Sequence, residues 1–142
     1  MDQTFTYLTK TRGIDCGIVG EMIKQGKIYQ AITYKDGYHF KNCAFVGYDE
    51  NGKARYCALR APGKDSKFRQ DVENSDKTYG FCMEGHSNRV YEFEAPIDAM
   101  SHATLCKLYG MDWQEDHRVA EGCLSDKALA CYLKLHPGIR EI

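Results

Sequence analysis

The sequence predicts an α/β protein: an α+β amino-terminal module followed by the beginning of a parallel β/α sheet. Residues 28–60 contain strand-like runs separated by two turn signals, Asp36-Gly37 and Asn51-Gly52. From residue 90 onward, strand and helix patterns alternate, which is typical of parallel strands joined by right-handed crossovers. We place the boundary in the connector 84–88, which gives an amino-terminal module of residues 1–85 and a second part of residues 86–142.

The composition excludes several classes of protein. The chain has 142 residues, a formal net charge of −1 and 43% hydrophobic residues, as expected for a globular domain. No apolar run approaches the roughly 20 residues of a membrane span, and the amino terminus lacks a signal-peptide pattern. We therefore expect a cytoplasmic protein. Any affinity for nucleic acid must come from a local patch, because the net charge gives no general attraction.

Seven cysteines raise the question of a metal or disulfide framework. They form no C-x-x-C pair, and several lie among apolar neighbours, as Cys57 does in Tyr56-Cys57-Ala58-Leu59. This pattern favours buried, reduced thiols that act as small hydrophobic side chains.

The amino-terminal module is predicted from local signals. A short helix is expected over residues 4–12, and Asp15 is a suitable N-cap for a second helix that ends at Gly26. Strand patterns follow at residues 28–34, 38–40 and 43–48, and the turn Asn51-Gly52 reverses the chain into residues 53–60. Residues 61–77 lack apolar periodicity and are predicted as a long loop, and residues 78–83 as a further strand.

A basic segment extends from the last hairpin strand into this loop. Residues 53–69 include six basic residues and a single acidic one, Asp65. The aromatic residues Tyr56 and Phe68 lie among them in the sequence. Such a segment suits a phosphate backbone with stacked bases, although an ordinary solvated surface gives the same pattern. The candidate nucleic-acid-binding residues are Arg60, Lys64, Lys67, Arg69 and Lys77, and the expected partner is DNA, either single-stranded or as a primer–template.

The stretch around which the second part is organised begins with a strand at residues 90–93 and continues into a helix at residues 96–109. Pro96 suits the first helical turn, and apolar residues recur at helical spacing from Ile97 to Leu108. Glu94 thus lies where a strand passes into a helix, the edge of an open sheet where ligands bind. Its carboxylate could also simply complement the helix dipole, and Asp98, four residues on, could be solvated.

The remaining elements complete the alternating pattern. A strand is predicted at residues 118–123, a helix capped by Ser125 at residues 125–135, and a third strand begins at Ile139. A sheet with unpaired edges tends to pair with another chain, so we expect a homodimer through strand edges.

Residues 90–101, reading VYEFEAPIDAMS, resemble the first motif of the Toprim domain, the catalytic domain of bacterial primases and of type IA and II topoisomerases. Ala95 replaces the usual Gly, and Gly122 after the next strand also fits. The whole chain resembles Toprim proteins of bacterial plasmids and conjugative elements, in which an uncharacterised domain precedes a primase-like Toprim domain. The amino-terminal matches are Tyr7-Leu8, Arg12-Gly13-Ile14, Gly26, Ile28-Tyr29, residues 42–47, residues 49–53, Leu59-Arg60 and residues 75–77.

The resemblance implies Mg²⁺-dependent phosphoryl transfer in DNA replication or transfer. Glu94 would be the catalytic and metal-ligating acid, and Asp98 its supporting acid. The family also uses an Asp-x-Asp pair after a later strand, and no such pair follows residues 139–142. We therefore expect this chain to be inactive alone and Mg²⁺ to bind only in an intact protein. The alternatives are a non-catalytic nucleic-acid-binding or protein-interaction module, and a remnant with a degenerate site.

Overall fold

A computed structural model describes residues 2–63 and 68–142 of the chain. The first helix, α1 (Asp2–Thr6), continues as a π-helical turn, Tyr7–Thr11, and the other helices are α2 (Cys16–Lys24), α3 (Pro96–Leu108) and α4 (Lys127–Leu135). The strands are β1 (Ile28–Lys35), β2 (Tyr38–Tyr48), β3 (Ala54–Arg60), β4 (Arg69–Asp71), β5 (Phe81–Met83), β6 (Val90–Phe93) and β7 (His117–Ala120). No helix in the described ranges is long and apolar enough to cross a membrane.

The first sheet is an antiparallel meander with the order β1-β2-β3-β4. Both predicted hairpins are confirmed, and the two short strand predictions at residues 38–40 and 43–48 are parts of the single strand β2. The prediction of an unbroken loop over residues 61–77 was wrong, because β4 pairs with the end of β3. This three-residue strand is stabilised by its hydrogen bonds to β3. Its own sequence therefore needs no strand pattern, and none is visible.

The second sheet has the order β5-β7-β6. As predicted, β6 and β7 are parallel and α3 is the crossover between them. The end of the chain adds a parallel bridge from Glu141 to Arg89 beside β6, where a third strand was expected to begin. β5 precedes the predicted boundary but pairs antiparallel with β7. The division at residues 84–88 stays a prediction.

Asp15 links the helices of the two parts. Its carboxylate accepts hydrogen bonds from the backbone N–H groups of Gly17 and Ile18, at 2.9 and 3.2 Å, which confirms it as the N-cap of α2. The same carboxylate lies 2.8 Å from the Lys107 Nζ of α3, and the Asp15 backbone N–H donates to Thr104 Oγ1. The bond to Lys107 lowers the pKa of Asp15. One side chain therefore caps α2 and attaches it to α3.

One hydrophobic core lies between the two sheets. It joins α2, β2, β5 and α3, and Phe45 meets Phe81 edge-on with ring centroids 6.0 Å apart. α3 contributes Ile97, Met100 and Ala103, but the predicted apolar stripe does not continue to Leu105 and Leu108, which are 53% and 76% exposed. The last turn of α3 lies beyond the core. A smaller core on the other face of the second sheet packs Val119 against α4.

Candidate functional site

A cleft forms where the first sheet meets the carboxyl ends of β6 and β7, and we call it the central cleft. Its volume is about 120 Å³, enough for a few water molecules or a small hydrated group. The residues around it that carry polar or charged groups are Tyr56, Arg60, Arg69, Gln70, Asp71 and Glu94. The first sheet thus supplies both arginines together with Asp71, whose charge is paired with Lys77, and Glu94 lies at the end of a strand of the second sheet.

Glu94 lies at the rim of the parallel pair, the position at which the sequence places it. It follows the last residue of β6 directly, its side chain is exposed, and it lines the central cleft. The Glu94 carbonyl accepts a 2.8 Å hydrogen bond from the Gly122 N–H, which fastens the end of β6 to the end of β7. A carboxylate at the carboxyl end of parallel strands stands where α/β proteins bind ligands. Its catalytic and metal-binding roles stay predictions.

Asp98 lies apart from this rim. It is exposed in the first turn of α3, and its backbone N–H donates to the Ala95 carbonyl at 3.1 Å. The residues that line the central cleft include Ile97 but not Asp98. At this position its carboxylate complements the positive end of the helix dipole. Its supporting role in catalysis is untested.

Arg60 and Arg69 lie directly opposite each other on the paired strands β3 and β4. Directly opposed residues share one face of a sheet, and like charges in that arrangement repel. The Arg60 Nε donates to the Tyr7 hydroxyl at 3.1 Å, and neither arginine forms an ion pair with a carboxylate of the described residues. Two opposed guanidinium groups in a cleft are an arrangement that a bound anion would stabilise.

The other predicted basic residues differ in their surroundings. Lys64 and Lys67 lie outside the described residues. Lys77 forms an ion pair with Asp71 at 3.0 Å, and this bond raises the pKa of Lys77. Its charge is therefore already compensated within the protein.

Tyr56 does not serve as an exposed stacking side chain, so this part of the sequence interpretation was wrong. The ring is 3% exposed and its hydroxyl donates to the Asp71 Oδ1 at 3.2 Å. Burial and the Asp71 charge both raise the pKa of Tyr56. The hydroxyl lies above Gly122, where a Cβ would approach it to 2.3 Å. Tyr56 thus packs the first sheet against the rim that carries Glu94.

Two glutamates near the rim were not singled out from the sequence. Glu121 follows β7, is buried, and its carboxylate accepts from the backbone N–H groups of Ala128 and Leu129 at 3.0 and 2.9 Å. It caps α4, whose N-cap position is Asp126 and not the predicted Ser125. Ser125 precedes the N-cap, and its Oγ accepts from the Lys127 N–H at 3.2 Å. The cap by Glu121 spans seven residues, so no local capping pattern could indicate it.

Glu92 lies on β6, two residues before Glu94, which follows the strand. Partial desolvation of the carboxylate, the hydrogen bond to Glu121 and the negative charges of Glu121 and Asp126 raise the pKa of Glu92 to about 7. The spacing Glu92-x-Glu94 was the available sequence signal. Across residues 2–63 and 68–142, no three His, Cys, Asp or Glu side chains are grouped so that they could hold a metal ion.

Solved structures define the class of fold. A DnaG primase catalytic domain bound to ssDNA matches with a TM-score of 0.52 at 10% sequence identity, covering 97% of this chain and 52% of that chain. A DnaG catalytic core matches at 0.48 and 11%, covering 89% and 50%, and an E. coli primase catalytic core at 0.41 and 15%, covering 89% and 42%. The match at a TM-score of 0.52 shows that the chain has an α/β fold of the primase catalytic-domain type. The chain spans about half the length of these structures.

The protein family is shown by the sequence itself. Residues 6–87 match the DUF3991 family, described as proteins of unknown function, and the chain belongs to this family. No curated protein matches the sequence. The likeness to the primases, at 10% identity, shows the fold and leaves activity and partners to be proposed.

Proposed function

We propose that this chain forms the nucleic-acid-binding part and the first catalytic acid of a primase-like Toprim protein. Single-stranded DNA or a primer–template lies across the central cleft, with its phosphates on Arg60 and Arg69 and its reacting region at Glu94. The phosphoryl-transfer chemistry is completed in an intact protein that supplies further acids. Its setting would be the replication or transfer of plasmids or conjugative elements, as the sequence resemblance implies.

The observation that carries this proposal is the meeting of opposite charges across the central cleft. Arg60 and Arg69 face each other on the first sheet, and Glu94 lies on the far side at the end of β6. A phosphate backbone needs cations to hold it, and phosphoryl transfer needs a carboxylate close to a phosphate. The fold that surrounds the cleft is shared with a primase domain whose structure was determined with ssDNA.

The residues present fit one part of a Mg²⁺ site. Mg²⁺ is typically held by one or two carboxylates together with phosphate oxygens of the substrate. Glu94 is exposed at the rim and can supply one such carboxylate. When bound, Mg²⁺ would neutralise phosphate charge and activate the attacking oxygen. We expect no catalysis by this chain alone, since a single carboxylate does not complete the site.

A binding module without chemistry is the second candidate function. The opposed arginines favour it equally, because an anion site needs no catalytic acid. The two candidates differ only in the role of Glu94, and substitutions on the two sides of the cleft separate them. A homodimer through strand edges is a further part of the proposal and is compatible with either function.

The first prediction concerns the basic side of the central cleft. Arg69→Ala and Arg60→Gln should each weaken binding of a fluorescent single-stranded oligodeoxynucleotide, as measured by anisotropy. Each phosphate contact with single-stranded DNA contributes about 0.7 to the slope of log K against log salt concentration. We expect each variant to reduce the steepness of that slope by about 0.7, and the double variant by about 1.4.

Lys134→Ala is the matched control, since Lys134 is an exposed cation on α4 that does not line the central cleft. It should leave the salt slope unchanged. Equal losses in all three variants would mean that the protein binds DNA only through its general charge. Absence of any binding by the unmodified protein would overturn the proposed function.

The second prediction concerns Glu94. Without divalent cations its carboxylate repels the phosphates held by the arginines, so Glu94→Gln should bind the oligonucleotide several-fold more tightly than the unmodified protein in EDTA. If Glu94 and phosphate oxygens share Mg²⁺, added Mg²⁺ should narrow or reverse this difference. Anisotropy titrations with and without Mg²⁺ measure it.

Asp98→Asn is the control for a nearby carboxylate on α3 that does not line the cleft. A response to Mg²⁺ that is the same in Glu94→Gln and in the unmodified protein would favour the binding module. If the effect of Mg²⁺ on DNA affinity is lost in Asp98→Asn as well as in Glu94→Gln, Asp98 assists Glu94 as proposed.

A further inference from the structure

The hairpin of β1 and β2 carries exposed aromatic side chains far from the core. Tyr34 is 80% exposed, Tyr38 71% and Phe40 51%. They lie around the turn Asp36-Gly37, where β2 extends beyond its pairing with β3. So many exposed rings in one place mark an interaction surface rather than a random set of surface residues.

The cross-strand register places these rings on both faces of the hairpin. Tyr34 and His39 are directly opposite each other, with ring centroids 6.2 Å apart, and share one face. Phe40 follows His39 along β2 and therefore lies on the other face, and both His39 and Phe40 line the groove beside the hairpin. Two lysines flank the group, Lys35 and Lys41, against the single acidic residue Asp36. Flat rings beside cations have the chemistry that accommodates bases and phosphates together.

A basic path leads from this hairpin to the central cleft. One groove beside the hairpin is lined by His39, Phe40, Lys41 and Gly63. The next groove is lined by Gly63, Lys10, Arg12 and Arg60. The two grooves share Gly63, and the second shares Arg60 with the central cleft. Of the described residues that line these two grooves, none is acidic.

We propose that the exposed rings of this hairpin, Tyr34 and His39 on one face and Phe40 on the other, form a two-sided base-stacking platform for single-stranded nucleic acid. The strand leaves the central cleft at Arg60, passes Lys10 and Arg12, and reaches the hairpin, where its bases stack on the exposed rings. This inference rests on the proposed function, because the same strand occupies the central cleft. The platform is sequence-tolerant, since every base presents a flat face to an aromatic ring.

The test separates the contribution of base stacking to DNA affinity from the contribution of charge. Binding of an oligonucleotide of about 16 nucleotides, the upper end of site sizes for small single-strand-binding domains, is compared with binding of an abasic strand of equal length. Phe40→Ala and Tyr34→Ala should each weaken binding of the normal strand about fivefold, with the slope against salt concentration unchanged. On the abasic strand, which keeps its phosphates, the same variants should have no effect.

Two control variants sharpen this comparison. Phe40→Leu keeps an apolar side chain and removes the ring, so it should weaken binding as Phe40→Ala does. Tyr109→Ala removes an 81% exposed ring at the end of α3 and should leave binding unchanged. Circular dichroism verifies that each variant is folded.

The outcomes distinguish this inference from the proposed function. If the variants of Arg60 and Arg69 lose affinity and the hairpin variants do not, the stacking platform is overturned and the proposed function stands. Equal loss on the normal and the abasic strand also overturns it. If sedimentation shows that the hairpin variants dissociate a dimer without changing DNA affinity, the hairpin is a contact between two copies of the chain, and the inference is wrong.

Discussion

At the scale of single residues, the acidic side chains near the end of the second sheet have different environments and different roles. Glu94 faces the central cleft, and Glu121 is committed to the first N–H groups of α4. Glu92 lies beside Glu121 and Asp126 and cannot ionise without adding to their negative charge. The raised pKa of Glu92, about 7, follows from partial desolvation of its carboxylate and from these neighbours.

This raised pKa predicts how the stability of the protein depends on pH. In the unfolded chain the Glu92 carboxyl has its ordinary pKa of 4.5, whereas the folded chain retains the proton up to about pH 7. The unmodified protein should therefore lose stability as the pH rises from about 4.5 to about 7, and keep that loss above pH 7. Glu92→Gln, which cannot ionise, should remove this loss.

We expect Glu92→Gln to be more stable than the unmodified protein above pH 7 by no more than about 1 kcal/mol, because Glu92 is exposed and solvent screens its charge. The difference should decrease as the pH falls from 7 towards 4.5. Urea denaturation across this range measures it, with the exposed Glu73→Gln as control for the removal of one negative charge. A difference that does not change with pH would contradict the prediction.

At the scale of secondary-structure elements, the features that adjacent residues encode could be predicted. The turn at Asp36-Gly37 uses positive φ angles of 53° and 80°, the geometry that tight hairpin turns require. Asp15 caps α2, and Pro96 begins α3. Each of these is set by a few neighbouring atoms, so the sequence pattern is sufficient.

Features that depend on distant contacts could not be predicted in the same way. β4 exists because β3 offers it a partner, and β5 joins the second sheet although it precedes the connector. The end of α3 has apolar spacing, but the core stops at Ala103, so Leu105 and Leu108 remain exposed. Periodicity indicates which face of a helix is apolar, and only the fold determines how much of it is covered.

The same distinction between local sequence features and distant contacts applies to the candidate site. Glu94 could be located because a strand, a carboxylate and a helix start follow one another in the sequence. The basic segment was visible as composition, but the opposition of Arg60 and Arg69 required the register of β3 and β4. Tyr56 was predicted as part of the basic surface and is buried, because alternate residues of β3 point towards the second sheet.

At the scale of the whole molecule, the two sheets are in close backbone contact. Gly47 of β2 lies against the turn before β5, where an added Cβ would stand 2.3 Å from the Tyr79 carbonyl oxygen. Gly80 in turn lies against β7, where a Cβ would stand 2.3 Å from the Ala120 carbonyl oxygen. These contacts, with the core that both sheets share, should make residues 1–85 and 86–142 unfold together.

Gly47→Ala tests this coupling. The new methyl group must push the backbone of residues 79–80 away from β2, and such overpacking costs about 1–3 kcal/mol of unfolding free energy. Urea denaturation is followed by far-UV circular dichroism, which reports the helices and strands together, and by the fluorescence of the single tryptophan, Trp113, which packs against the shared core from the second part. In one cooperative unit both signals shift to lower urea by the same amount.

The matched control is Gly20→Ala in α2, where nothing lies within 4 Å of the added Cβ. Because alanine is the better helix former, this variant should gain about 0.5–1 kcal/mol and move both signals to higher urea. If Gly47→Ala instead moves the circular dichroism transition while Trp113 keeps its original midpoint, the two parts fold independently. The central cleft would then lie between separable units, and the distance from Arg60 and Arg69 to Glu94 would depend on how those units dock.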